Sequence, residues 1–481
     1  MSGLFQALAE VLTDKVCVIW GERRLTGHDL LGGVERAARI LCGAGVQTGD
    51  RVLVQVEKSL DNVFVYLACL RIGAIYVPLN TGYRAKEFAY FVANATPRLV
   101  VCDPSSEHQT ANSLTLAADG SGTFYQAPSA DVSSTFPSPT DLAAIVYTSG
   151  TTGRPKGAML GNANLLHNAR ALAEVWGIGS SDTLLHALPL YHIHGLFIAL
   201  NTTLLAGGCL HMHDRFDAKT VIQALPTCTL LMGVPTFYTR LLKEPGFTAE
   251  TTRNIRLFIS GSAPLLMETF DEFKARTGRD ILERYGMSEC GIITSNPRDG
   301  IRRGTVGRPL PNTQVRITDK VGDVGSVEVK GPGVFCGYWQ MPEKNQTEFR
   351  PDGFFITGDL GQIDGDGYLT LIGRAKDLII TGGLNVYPSE IEAVINALPG
   401  VDESAVIGLP HDDFGEAVTA VICLKDGASS TEAGVIAALK QDLAAFKVPK
   451  RVFYATALPR NAMGKVEKAA LRAQYAATFK T

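Results

Sequence analysis

The sequence lacks an apolar run of the roughly 20 residues that a membrane span requires. The stretch 183–213 contains no Asp, Glu, Lys or Arg, but Pro189, three glycines and five histidines interrupt it. The chain also begins without the basic start and apolar core of a signal peptide. We therefore expect residues 183–213 to be buried protein interior, and we expect no membrane partner.

Paired cysteines and a strong charge imbalance are also missing. The nine cysteines are scattered singly with no CxxC pair, so we expect no disulfide framework and a reducing, cytoplasmic environment. The net charge of −3 indicates no nucleic-acid partner. The pairs His192/His194 and His211/His213 are not completed by a familiar zinc spacing, and we interpret them as core and pocket residues.

Short β-branched runs alternate with helical patterns in the first part of the chain. The runs at 51–57, 74–78 and 98–102 accompany a helical pattern at 62–73. This alternation is typical of βαβ units and parallel sheets. A chain of 481 residues is also too long for one ordinary core, so we expect two or more domains.

The pattern changes after Asn312. Residues 314–368 have short strands and dense turns, which predict a small β-rich module. The remainder predicts a compact α+β unit with a helix from Ser389, where Ser389 and Glu392 would form a capping box. The predicted fold class is α/β. A large N-terminal domain of βαβ-type sheets plus the β-rich module (1–373) precedes a hinge (374–376) and a small α+β C-terminal domain (377–481).

Small hydrogen-bond donors crowd the segment 147–157, YTSGTTGRPKG, which has four Ser/Thr residues and three glycines. Glycines let backbone amides approach an anion, hydroxyls donate to phosphate oxygens, and Lys156 adds a positive charge. The segment is not a Walker loop, because Pro155 stands where that motif needs glycine. Taken alone, a solvated surface turn is an equal alternative.

Five further clusters follow in order. They are ISGSAPL at 259–265, ERYGMSE at 283–289, FFITGD at 354–359, GRAKDLIITGG at 373–383 and NAMGK at 461–465. Singly, each has an ordinary explanation as a solvated cap or a surface turn. Together, the six motifs strongly resemble the adenylate-forming superfamily of acyl-CoA synthetases, luciferases and peptide-synthetase adenylation domains. Strings such as LPLYHIHGLF and LPRNAMGKV are most similar to the malonyl-CoA synthetases.

The resemblance covers nearly the whole chain and implies a two-step reaction with ATP, magnesium and coenzyme A. A carboxylate is joined to AMP with release of pyrophosphate, and the CoA thiol then attacks the acyl-adenylate. Such chemistry needs positioning and charge neutralisation instead of a protein nucleophile. The ATP- and AMP-binding residues that the resemblance implies are Thr148, Ser149, Gly150, Thr151, Thr152, Gly153, Lys156, Gly261, Ser262, Ala263, Tyr285, Gly286, Ser288, Asp359 and Arg374.

The same resemblance assigns roles to these residues. The loop 147–157 would hold the β- and γ-phosphates, Ser288 would contact the α-phosphate, and Glu289 would be the magnesium ligand. The backbone at 261–263 and the ring of Tyr285 would enclose the adenine.

The last three motifs would complete the site. Asp359 would accept both ribose hydroxyls, with Arg374 nearby. Lys465 would bridge the acid carboxylate and the α-phosphate during adenylation. The small domain would then rotate about Lys376, for which an ordinary interdomain linker is the alternative.

After that rotation, Gly382 and Gly383 would leave room for the pantetheine arm of CoA. We also expect Lys465, in its glycine-flanked turn, to be a target of a lysine acetyltransferase, since acetylation would remove its charge and block adenylation.

Arg284 is the residue that would select the acid. The malonate enzymes carry arginine at this position, beside the tyrosine, where it should reach the acyl side of the adenylate. A guanidinium can pair a second carboxylate in a bidentate fork, whereas a monocarboxylic acid would leave it buried and unpaired. The alternative is a structural ion pair with Glu283 or Glu289.

His194, Leu200 and Ile292 are the other implied substrate-binding residues. His194 would lie near the carboxylate that is activated, and His192 would stiffen the same turn. Leu200 and residues 290–292 depart from the pattern of the malonate enzymes. Apolar wall changes of a methyl's size are worth only about 1–3 kcal/mol, so methylmalonate stays an alternative to malonate.

The sequence therefore predicts a malonate–CoA ligase that acts as a monomer or weak dimer on small-molecule substrates. The alternatives are a ligase for methylmalonate or another short- or medium-chain acid, a carrier-protein loader or luciferase-type oxygenase, and an inactive nucleotide-binding relative.

Replacing Lys465 by alanine is expected to abolish acyl-adenylate formation, because the charge between the two anions is lost. The acetyl mimic Lys465→Gln should have the same effect in a protein that stays folded. Pyrophosphate release from ATP and the acid, measured beside circular dichroism, checks both variants. Undiminished release by either folded variant would contradict the role given to Lys465.

Overall fold

The computed structural model describes residues 3–148, 155–411, 413–461 and 464–479. The chain divides into two compact units, which are Met1–Val315 with Val329–Phe355, and Arg316–Glu328 with Ile356–Thr481. The predicted division at 374–376 is a different boundary and stays a prediction. None of the helices within the described ranges combines the length and the hydropathy that a membrane span needs.

A nine-stranded mixed sheet runs through the first unit. In spatial order its strands are Arg308–Pro309, Gly291–Ser295, Ile281–Met287, Leu257–Ser260, Leu230–Gly233, Thr183–His186, Cys209–Met212, Val16–Trp20 and Arg23–Thr26. The six strands from Ile281–Met287 to Val16–Trp20 pair in parallel, and antiparallel strands flank them. The carboxyl ends of parallel strands meet at one edge, where ligands usually bind.

A six-stranded sheet also belongs to the first unit. Its strands in spatial order are Ser113–Thr115, Leu99–Cys102, Arg51–Gln55, Ile75–Pro78, Leu142–Thr148 and Lys156–Gly161. The first five pair in parallel, as the alternating pattern predicted. The last pair is antiparallel and places Thr148 opposite Lys156, so the two ends of the predicted phosphate loop lie side by side.

The second unit contains a five-stranded sheet and most of a four-stranded sheet. The four-stranded sheet corresponds to the predicted β-rich module, and its strands are Gln314–Val321, Val324–Lys330, Phe355–Ile363 and Leu369–Arg374. The five-stranded sheet consists of Leu384–Val386, Ile379–Thr381, Gly415–Leu424, Val401–His411 and Arg451–Tyr454.

Helices cover the sheets of both units. The α-helices are Leu4–Val11, Gly27–Gly43, Leu60–Ile72, Ala85–Ala95, Asn162–Trp176, Asn201–Leu205, Ala218–Ala224, Pro235–Leu242, Met267–Thr277, Pro342–Glu348, Pro388–Asn396, Glu432–Asp442 and Lys468–Gln474. Short 3-10 turns lie at Phe124–Gln126, Leu225–Thr227 and Ala375–Asp377, and His194–Leu200 forms a π-helix.

The helix Leu60–Ile72 shows how local sequence sets these boundaries. The Ser59 hydroxyl accepts a hydrogen bond from the Asn62 amide at 3.1 Å and caps the first turn. Gly73 ends the helix in the left-handed conformation, with φ of 74°. Nearly every side chain between them is buried, because the helix packs inside the unit.

The predicted capping box at Ser389 is wrong. The helix Pro388–Asn396 begins one residue earlier, and the Ser389 hydroxyl instead donates to the carbonyl of Ile372. The Glu392 carboxylate accepts from the Val406 amide at 2.7 Å. Both side chains make tertiary hydrogen bonds. The Ser-x-x-Glu pattern is therefore present in the sequence, but these residues do not cap the helix.

Gly307 and Gly304 form a matched pair for testing how the sheet edge is built. Both have positive φ, of 82° and 72°. A Cβ at Gly307 would lie 1.9 Å from the Ser295 carbonyl carbon, whereas a Cβ at Gly304 would meet nothing within 4 Å. Ser295 pairs with Arg284 in the neighbouring strand, so this edge supports a predicted site residue.

We expect Gly304→Ala to cost about 1–2 kcal/mol of unfolding free energy from backbone strain alone. Gly307→Ala adds a backbone collision and should cost more than about 4 kcal/mol. Urea denaturation followed by circular dichroism measures both values. Equal losses for the two variants would mean that the strands move apart freely at Gly307.

Candidate active site

Two predicted motifs meet at Arg284. The residue lies on the strand Ile281–Met287, next to the strand Leu257–Ser260 that leads into Gly261. A Cβ on Gly261 would lie 2.3 Å from the guanidinium carbon of Arg284. The glycine therefore provides the space that the arginine occupies, and the structure brings these two predicted site residues together.

Among the described residues, no counter-charge lies beside the buried side chain of Arg284. Only 5% of the residue is exposed, and neither Nε nor Nη2 has a hydrogen-bond partner in that part of the chain. Burial lowers the pKa of Arg284 to about 10, which leaves it charged at neutral pH. A cation out of water is costly unless an anion pairs with it, so the arrangement fits an anionic ligand.

The alternative explanation, an ion pair with Glu283 or Glu289, is not what the structure contains. Within the described ranges Arg284 makes no ion pair. Burial raises the pKa of the Glu283 carboxyl to about 7, and the nearby backbone N–H groups of Leu265 and Gly304 partly oppose that shift. Glu289 accepts a hydrogen bond from another side chain, described below. Neither carboxylate neutralises the arginine.

His194 contributes a second unsatisfied group. It begins the π-helix His194–Leu200 and is 2% exposed. Its Nε2 has no hydrogen-bond partner among the residues that the structure describes, while its Nδ1 lies 3.4 Å from the hydroxyl of Ser262. Burial, and then the nearby Arg284 charge, hold its pKa well below the usual range. The imidazole is neutral, and its free nitrogen can contact a ligand.

The backbone around these side chains is strained or distorted. Ser262 has φ of 72°, in the left-handed region that non-glycine residues rarely adopt. A register shift between Tyr285 and Gly286 interrupts the pairing with Gly291–Ser295. Such outliers and bulges concentrate at functional sites, where they direct side chains. The Ser260 hydroxyl is also buried without a partner.

A separate network surrounds Glu289. The Tyr338 hydroxyl donates to Glu289 Oε1 at 2.9 Å. Lys156 Nζ lies 3.2 Å from Glu348 Oε1 and 4.6 Å from the centre of the Tyr338 ring. Lys344 pairs with the same Glu348 oxygen at 2.6 Å. Burial lowers the pKa of Lys156, and the Glu348 charge opposes that effect.

Other predicted residues of the first unit are placed as follows. Ser288 borders a small cavity together with Ile193, Phe197 and Ile198. Leu200 and Ile292 are buried, and their contact with an acid stays a prediction. Thr148 is half-buried, Tyr285 is buried and Ala263 is exposed. Ser149, Gly150, Thr151, Thr152 and Gly153 lie outside the described residues.

The second unit holds the remaining predicted residues. Asp359 and Arg374 are opposite one another on antiparallel strands, and Arg374 Nε lies 2.8 Å from Asp359 Oδ1. Lys376 is exposed in the turn Ala375–Asp377. The Lys465 amide donates to Asn461 Oδ1 at 3.0 Å, and its side chain is half-buried.

Comparison with known proteins decides the family. The AMP-binding enzyme model matches residues 5–339, and the AMP-binding enzyme C-terminal domain model matches residues 390–465. The chain belongs to the AMP-binding enzymes. This finding and the mixed α/β sheets confirm the predicted superfamily and fold class.

Several AMP-binding enzymes are similar over most of the chain. The crystal structure of ATP-bound MatB from Rhodopseudomonas palustris is 48% identical over 99% of both chains, with a TM-score of 0.96. A malonate–CoA ligase of Arabidopsis thaliana is 34% identical over 89% of this chain and 79% of its own. A feruloyl-CoA synthase of Amycolatopsis sp is 33% identical over 95% of both chains.

Sequence reasoning missed the partners of Glu289 and Lys156 in this AMP-binding enzyme. Tyr338 and Glu348 are 49 and 192 residues away from those partners. The only local signal was the spacing of Lys344 and Glu348, which is typical of an ion pair on one helix face. That spacing indicates a helix and does not point to a phosphate-loop lysine.

Proposed function

We propose that this chain is an ATP-dependent malonate–CoA ligase. It joins malonate to AMP with release of pyrophosphate, and then transfers the malonyl group to coenzyme A with release of AMP. The buried, unpaired guanidinium of Arg284 is the observation that carries the choice of acid. The similarity to acid–CoA ligases supports the reaction type, and their different acids leave the substrate to be argued from the pocket.

Malonate has two carboxylates, and the reaction consumes only one. The second carboxylate would pair with Arg284 and satisfy the two nitrogens that have no partner. A monocarboxylic acid would leave the buried guanidinium uncompensated, at a cost of about 2–5 kcal/mol. The pocket therefore discriminates by charge, which is a stronger criterion than the fit of one methyl group.

The packing near Ser288 opposes a long or aromatic acyl group. The cavity beside Ile193, Phe197 and Ile198 has a volume of about 10 Å³, about the space of a single water, so these side chains leave no room for such a group to extend. A long chain or an aromatic ring would have to displace these buried side chains, and well-packed interiors resist such changes.

Catalysis follows from placing and neutralising negative charge. The free Nε2 of His194 would contact the carboxylate that attacks the α-phosphate. Lys465 keeps its proposed role as the bridge between those two anions. Asp359, with Arg374 beside it, would hold the ribose, and Lys156 would hold the outer phosphates once ATP competes with Glu348.

Glu289 fits the proposed magnesium ligand. It offers carboxylate oxygen, the donor that magnesium prefers, and Tyr338 fixes its orientation. No cluster of three or more candidate metal ligands exists in the described part of the chain. Magnesium in nucleotide sites is commonly bound through one or two carboxylates plus substrate phosphates. When bound, magnesium would supply charge neutralisation at the phosphates.

Rotation of the small domain is proposed for the thioester step. Lys376 lies in an exposed turn of three residues, and a few such residues can absorb a hinge motion. Gly382 and Gly383 have φ of 57° and 78°. A Cβ at Gly383 would meet nothing within 4 Å, so the space beside it can accept a pantetheine arm.

Three further proposals concern the setting of the enzyme. All nine cysteines are free thiols, which supports a reducing cytoplasm. A monomer or weak dimer is retained as the proposed assembly. Acetylation of Lys465 by a lysine acetyltransferase is retained as the proposed regulation.

The acid preference is tested by measuring AMP formation with ATP, magnesium and CoA. Malonate, methylmalonate, succinate, acetate, butyrate and a cinnamate are compared. We expect malonate to exceed the monoacids by about 100-fold or more in kcat/KM, and Arg284→Ala to remove most of that difference. Tyr238→Phe is the control, because it removes a buried hydrogen bond to the Ile259 carbonyl without removing charge.

The outcomes separate the alternatives. A preference for methylmalonate would keep the diacid pocket and change the name of the substrate. A monoacid as the best substrate would make Arg284 structural and return the chain to the general acyl-CoA synthetases. Unchanged preference in Arg284→Ala would also contradict the proposed pocket.

Tyr338→Phe should raise the magnesium concentration required for half-maximal activity by about tenfold, because Glu289 loses the bond that orients it. Tyr125→Phe is a matched control, since Tyr125 also donates to a carboxylate, that of Asp61. Magnesium titration of AMP formation at saturating ATP gives both values. An equal shift in the two variants would exclude a specific effect on Glu289.

A further inference from the structure

A buried lysine in the first unit has no part in the steps above. Lys58 lies between the strand Arg51–Gln55 and the helix Leu60–Ile72, and only 8% of it is exposed. Its Nζ donates to the backbone carbonyl of His186 at 2.8 Å and lies 2.9 Å from His186 Nδ1. His186 is fully buried at the end of the strand Thr183–His186. The lysine thus connects the six-stranded sheet to the nine-stranded sheet.

The hydrogen-bond direction through His186 is determined by its other nitrogen. His186 Nε2 lies 2.9 Å from the carbonyl oxygen of Gly195. A carbonyl can only accept, so Nε2 carries the proton. Nδ1 is then the acceptor and must receive a hydrogen from Lys58 Nζ. Burial lowers the pKa of His186 to about 3, so the ring stays neutral and keeps this tautomer at working pH.

Gly195 directly follows His194 in the π-helix His194–Leu200. A Cβ on Gly195 would lie 2.1 Å from the carbonyl oxygen of Pro189, so the backbone is held closely at this point. π-helical turns are rare and occur mostly at functional sites. The His186 bond fixes the carbonyl of the residue next to His194, and it does so inside the interior, where water cannot replace it.

A histidine at position 186 could donate a hydrogen bond to the Gly195 carbonyl without any help from a lysine. Burying Lys58 is costly, because burial disfavours the charged ammonium and lowers its pKa well below the ordinary value. Among the described residues, Asp214 is the only carboxylate whose charge opposes that shift. What the lysine adds is control of the tautomer: without a donor at Nδ1, the proton could move there and Nε2 would face the Gly195 carbonyl with a lone pair. Partners of this kind orient functional histidines elsewhere.

We infer that Lys58 and His186 are positioning residues for activation of the acid, acting as a chain of donors from Lys58 through His186 to the Gly195 carbonyl that holds His194 in place. This inference rests on the proposed function, specifically on the role of His194 toward the carboxylate. It requires an acid–CoA ligase but not malonate as the acid.

The test uses the full-length enzyme and the acid that the wild-type chain activates best. Lys58→Met should lower kcat/KM for that acid by about 10- to 100-fold, since small misplacements of a site carry losses of this size. The KM for ATP should stay within about twofold, because the bond does not reach the nucleotide residues. His186→Gln retains an N–H toward Gly195 and should lose less than His186→Leu.

A double variant and a measurement of stability distinguish a positioning role of Lys58 and His186 from a packing role. If the two residues act as one chain, Lys58→Met combined with His186→Leu should lose little more than the larger single effect. Tyr76→Phe is the control, because it removes a buried hydrogen bond to Asn62 Oδ1 in the same unit without touching the π-helix. It should lower the melting temperature and leave the KM for the acid unchanged.

The results distinguish failure of this inference from failure of the proposed function. Active wild-type enzyme with unchanged acid kinetics in Lys58→Met would overturn the positioning role alone. Equal losses toward acid and ATP, or additive losses in the double variant, would also overturn it by indicating general damage. If another acid is preferred over malonate, only the proposed substrate fails. If wild-type enzyme releases no pyrophosphate with any acid, both fail.

Discussion

A positive charge held out of water, with no counter-ion among the described residues, is the constraint on which the candidate site of the first unit depends. Arg284 occupies space that exists because residue 261 has no side chain. Glu283, its neighbour in sequence, forms no ion pair with it among the described residues, and burial raises the pKa of that carboxyl to about 7. His194 remains neutral beside the cation. Each of these arrangements keeps the guanidinium available, so the protein carries an electrostatic cost that a ligand of opposite charge can relieve.

Features encoded by neighbouring residues could be predicted from the sequence. The parallel strands at 51–57, 74–78 and 98–102 follow from their periodicity. The nearness of Asp359 and Arg374 was implied only by the resemblance of their motifs, and it arises in a different sheet from an antiparallel pair of strands. Contacts between distant segments could not be predicted. Tyr338 on Glu289 and Lys58 on His186 join segments 49 and 128 residues apart, and no local pattern specifies which buried donor meets which acceptor. The capping box at Ser389 failed for the same reason, since tertiary acceptors outcompeted the local ones.

The two units make different kinds of contribution. In the first unit, the polar groups without partners are the informative ones, because their burial is explained by a ligand that brings complementary atoms. In the second unit, Asp359 is already paired with Arg374, so the ribose would join an existing ion pair. This difference suits an acid pocket in the first unit, and a ribose contact in the second unit that would add to the nucleotide-binding residues proposed for the first.

The relation between Gly261 and Arg284 also limits how such an enzyme can diverge. The charge lies on one strand and the room for it just past the end of the neighbouring strand, so a new acid preference requires changes at two positions. Losing the arginine first leaves a void, and filling position 261 first collides with the arginine. Either intermediate is less stable or less active than both endpoints. A change between charged and uncharged acids therefore requires more substitutions than a change in acyl-chain length, which one residue lining the pocket can adjust.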